Sequence, residues 1–111
     1  DAIVASEQSL PRRDEFEVVI AGGAVTTAKV AGRDSSTNIA VLRVQEPLAS
    51  SSITTSEARA GAVVIAIGAD GTGGASARLG VVNIAGPEWH SSRGGLIDRR
   101  IALDVRLARS E

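Results

Sequence analysis

Apolar and polar positions alternate with a period of two over much of the chain. In EFEVVIA at 15–21, Phe16, Val18 and Ile20 fall on one side of an extended strand and Glu15, Glu17 and Val19 on the other. A second β-rich run, AVTTAKVAG, occupies 24–32, and Gly22 and Gly23 between the two can take the positive φ of a tight hairpin. Further strands are expected at NIAVLRV (38–44), AVVIAIG (62–68), ARLGVVNIAG (77–86) and LIDRRIALDV (96–105). QEPLASSSITTSEARAG reads as a loop with one helical turn after Thr55, and PEWHSSRGG as a turn-rich connection. No useful length shows a 3.6-residue period, so the pattern predicts an all-β, barrel-like domain.

Composition narrows the class. The 111 residues suit one domain, and 43% hydrophobic content with a net charge of -1 describes a globular chain without the basic balance of a nucleic-acid binder. Valine, isoleucine and alanine dominate the apolar set, with Phe16 and Trp89 the only aromatics, which favours strands enclosing a narrow interior. There is no cysteine, so disulfides and thiolate zinc sites are excluded. The longest strongly apolar run, AVVIAI, is far short of the roughly 20 residues of a spanning helix. The N-terminus lacks a basic-then-apolar leader, so an exported form is expected to be a mature chain or an excised piece.

Several residues are candidates for chemistry. The glycine-rich GADGTGGASARLG at 68–80 follows a strand, but no helix pattern opens after it and no Gly-Lys-Ser/Thr step is present, so a linking loop is favoured over a phosphate cradle and no cofactor is expected. His90, the only histidine, has no clustered partners at metal-ligand spacing. Trp89 and Arg93 are of the types enriched at interface hot spots, which makes Trp89, His90 and Arg93 candidates for protein binding; Trp89 as a cap on the core is the competing reading. The arginines near the C-terminus alternate with Asp98, Asp104 and Glu111, as on a mixed solvated face. The amides Gln8 and Asn38 stand at strand ends, where polar residues ordinarily satisfy backbone groups.

Taken in order, AKVAGRDSSTNIAVLRV, GAVVIAIG, LGVVNIAG and IALDVRLARSE resemble the core motifs of the HtrA (Deg) family of trypsin-like serine proteases. The resemblance is collinear over nearly the whole chain. It implies a trypsin-like (chymotrypsin-type) β-barrel fold with an incomplete second barrel, 1–68 forming the first-barrel portion and 69–111 a linker and partial second barrel. It also places Gln8 where the family carries its catalytic histidine and Asn38 where it carries its aspartate, with the serine due one residue beyond Glu111. An amide cannot act as the base, and replacing only the carboxylate of such a triad by an amide costs about 10⁴ in turnover.

The expectation is therefore a catalytically degenerate domain of the periplasm or cell envelope, not an enzyme. It would bind a protein or an extended peptide by strand addition, in the cleft between barrels or at an open sheet edge. A complementing chain or an oligomer is a further expected partner; nucleic acid and a membrane span are not. The alternatives are a fragment of an active serine endopeptidase completed by residues outside this chain, and a structural or assembly module of a larger envelope protein.

Overall fold

A computed structural model describes residues 1–49, 53–69, 72 and 74–106. The chain is all-β, and no described segment is α-helical. The described residues form nine strands: β1 (Ala2–Ser6), β2 (Glu15–Val19), β3 (Val25–Asp34), β4 (Ile39–Val44), β5 (Val63–Ala69), β6 (Ala75–Gly86), β7 (Trp89–His90), β8 (Leu96–Ile97) and β9 (Arg100–Asp104). Every pairing between them is antiparallel.

Four strands form one curled sheet in the order β1-β4-β3-β2. The β2-β3 hairpin closes as the pattern predicts. Gly22 and Gly23 hold φ of 91° and 84°, and the Ile20 amide donates to the Ala24 carbonyl at 2.9 Å. The register between β3 and β4 shifts between Val30 and Gly32, a bulge that adds twist and bends the sheet on itself. Inside the bend, Ala28, Leu42 and Val44 are buried, with Ile3, Ala5, Leu10, Phe16, Val18, Val30 and Leu48 packed around them. The half-buried side chains of β2 are Phe16 and Val18, as the alternation requires. Arg33 ties the connection after β1 to this sheet, donating to the carbonyls of Leu10 (3.3 Å), Pro11 (2.7 Å) and Arg13 (3.1 Å).

The second sheet has the order β5-β6-β9, and β7 and β8 form a small separate hairpin. β5 is paired along its length with β6, so the change of sheet falls between Val44 and Val63. The strand expected at 96–105 is divided: Leu96 and Ile97 turn back to pair with β7, and Arg100–Asp104 pair with β6. The helical turn expected after Thr55 does not form; residues 53–59 are irregular, and a turn occurs only at Ala60 and Gly61. Part of the glycine-rich segment, at 70, 71 and 73, and the C-terminal 107–111 lie outside the described residues. No helix among the described residues is long and apolar enough to cross a membrane.

Candidate functional site

Gln8 and Asn38, 30 residues apart in sequence, are brought into contact by the pairing of β1 with β4. β1 ends in a single 3₁₀ turn, Glu7–Ser9, and Asn38 stands immediately before β4 with φ 61°. That left-handed conformation is one asparagine tolerates better than most residues. It aims the Asn38 side chain at the turn: Oδ1 accepts from the Gln8 backbone amide at 2.9 Å and from Ser6 Oγ at 3.1 Å. The Asn38 carbonyl accepts from the Glu7 amide at 3.2 Å. Asn38 thus anchors the turn that presents Gln8.

The loop before it, Ser35–Thr37, is ordered by Asp34. Its carboxylate accepts from the Ser36 amide (2.9 Å), Ser36 Oγ (2.6 Å) and Thr37 Oγ1 (2.5 Å). These bonds, the Ser36 hydroxyl first among them, lower its pKa from 3.8 to about 2.

The β7-β8 hairpin docks on this loop. Ser91 Oγ donates to the Ser36 carbonyl and accepts from the Gly95 amide at 3.2 Å. Gly95 is buried against the same carbonyl; a Cβ there would lie 2.5 Å from the Ser36 oxygen, so this approach requires glycine. Arg93 Nη1 reaches the Ser35 carbonyl at 3.4 Å.

The result is a cleft of about 400 Å³ lined from one side by Gln8, Ser35, Ser36, Thr37 and Asn38 and from the other by Trp89, Ser91, Ser92, Arg93 and Ile97. Four of the five residues singled out by sequence meet there: Gln8, Asn38, Trp89 and Arg93. His90 is not among its walls. It follows Trp89 in β7, and successive strand residues face opposite ways, so the imidazole belongs to the other side of the hairpin. Trp89 pairs with Ile97, is 41% exposed and lies outside the buried cluster, so it does not cap the core. No three described His, Cys, Asp or Glu side chains gather as a metal site.

Chemically the cleft is a hydrogen-bonding surface with no carboxylate or imidazole among its described walls. Its walls carry two amides, five hydroxyls, an indole, an isoleucine and one cation. The carboxylate of Asp34, which adjoins Ser35 in sequence, is spent on Ser36 and Thr37, and a group titrating at about 2 is too weak a base to take a serine proton. Sequence reasoning found the cleft residues on both sides but missed the serines that join them. Short polar residues in a turn carry no signal of which loop they will touch. No protein-family model matches the chain, and comparison with curated proteins finds no match to it either.

Proposed function

We propose that this chain is a non-catalytic binding domain for extended polypeptide, a pseudoprotease whose cleft holds a segment without cutting it. The observation that carries this reading is the cleft wall itself: Gln8 and Asn38 meet opposite Trp89 and Arg93, and no described lining side chain is a carboxylate or an imidazole able to act as a general base. The resemblance of the strand motifs to the HtrA proteases supports it, because those two amides occupy the histidine and aspartate positions of that pattern. Amides, hydroxyls and an exposed indole are suited to satisfying a peptide backbone and covering an apolar side chain.

Trp89 is the only tryptophan, so its emission reports on the cleft directly. Blocked heptapeptides of alternating valine and serine, with glutamine at the centre, should change that emission saturably and be recovered intact. Absence of any change, or cleavage of the peptide, overturns the reading. Covalent labelling by a fluorophosphonate would favour the rival, an endopeptidase completed by residues outside this chain.

A second reading, an assembly module, is favoured by the face of β5 and β6. Register places Val63 opposite Val81 and Ile65 opposite Leu79, with Ile67 next along the same face. Val63, Ile65, Ile67 and Leu79 are 68%, 65%, 77% and 74% exposed. Such a contiguous apolar surface fits a partner sheet packing face to face.

A further inference from the structure

Among the described residues, the one charge in the cleft has no counter-charge. Arg93 stands on the tip of the β7-β8 hairpin, and its single side-chain bond is the long one to the Ser35 carbonyl. The ion pairs of Arg33 with Glu7 and of Arg99 with Glu57 lie elsewhere, and no described carboxylate pairs with Arg93. Every other described wall residue is uncharged. A guanidinium left this way keeps a planar fork of donors open, the geometry that matches a carboxylate with two parallel hydrogen bonds. Asp34 does not fill that role, since its oxygens accept from Ser36 and Thr37.

Resting on the peptide-binding reading above, we propose that the cleft selects acidic segments: a carboxylate of the bound peptide seats on Arg93, and the neighbouring apolar side chain lies against Trp89 and Ile97. The carboxylate comes from an aspartate or glutamate side chain or from a free C-terminus. Both present the same two oxygens, and blocked and unblocked peptides separate them.

The test titrates the whole chain, read by Trp89 emission, with three heptapeptides of alternating valine and serine. One has both ends blocked and a central glutamate; the second has glutamine there; the third has the glutamine and a free C-terminus. The glutamate peptide should bind about tenfold more tightly than its glutamine counterpart, the size expected when one hydrogen-bonded charge is matched. That preference should vanish in Arg93→Gln and persist in Arg99→Gln, whose arginine pairs with Glu57 away from the cleft. A preference shown only by the third peptide assigns the carboxylate to a C-terminus, and one shown by the first assigns it to a side chain. Equal binding of all three overturns the selectivity and leaves the peptide site standing. Binding by none overturns both. A preference that survives Arg93→Gln overturns the assignment to Arg93.

Discussion

Asn38 shows how one side chain can decide a local structure. It combines a left-handed backbone with two accepted hydrogen bonds, so Asn38→Ala loses both the conformational tolerance and the acceptor. The expected cost is roughly 1–3 kcal/mol, read as a lower melting temperature. Asn38→Asp keeps an oxygen in the same place and should melt close to the parent. Asp34 sets a pH dependence. Its pKa is lowered on folding, so the stability it contributes is fully present above its ordinary value of 3.8 and is lost as pH falls from there through about 2. Asp34→Asn should therefore destabilise the protein at neutral pH, and the difference from the parent should close below about pH 2. A difference independent of pH would mean that the bonds to Ser36 and Thr37 do not favour the ionised form. These roles were only half visible in the sequence. Gln8 and Asn38 stand out in the sequence as amides at strand ends, whereas nothing local in the sequence marks Arg33 as the residue on which three carbonyls converge.

Strands were legible wherever alternation ran uninterrupted. Phe16 and Val18 declared the inner face of β2, and the paired glycines declared its turn. What alternation cannot declare is the partner: it tells which face is buried, not which edge is paired. Hence β5 is legible as a strand at 62–68, while its pairing with β6 is not. The split of 96–105 was hidden for a related reason, because the run from Leu96 to Val105 carries no glycine or proline to mark the break at Asp98 and Arg99. The β7-β8 hairpin depends on contact with the Ser36 loop, information that is not local. Gly95→Ala tests that dependence. The added methyl meets backbone that cannot swing aside, so the hairpin should lift from the loop and Trp89 emission should shift toward that of exposed tryptophan. Gly32→Ala, where an added Cβ meets nothing within 4 Å, should leave the emission unchanged.

At the scale of the molecule, two sheets share little buried core. Among the described residues the buried apolar ones are Ala28, Ala40, Leu42, Val44 and Val82, and the radius of gyration is 15.4 Å, above the ~13 Å of a compact domain this long. An open arrangement leaves two surfaces able to act, the polar cleft with its single cation and the apolar face of β5 and β6. The account assigns peptide recognition to the cleft. Amide chemical-shift mapping with the glutamate heptapeptide separates the two surfaces in one measurement. The account predicts shifts concentrated at Gln8, Ser36, Asn38, Ser91 and Arg93 and at the Trp89 indole N–H, with β5 unmoved. Shifts centred on Val63, Ile65, Ile67 and Leu79, with the cleft unmoved, would contradict it.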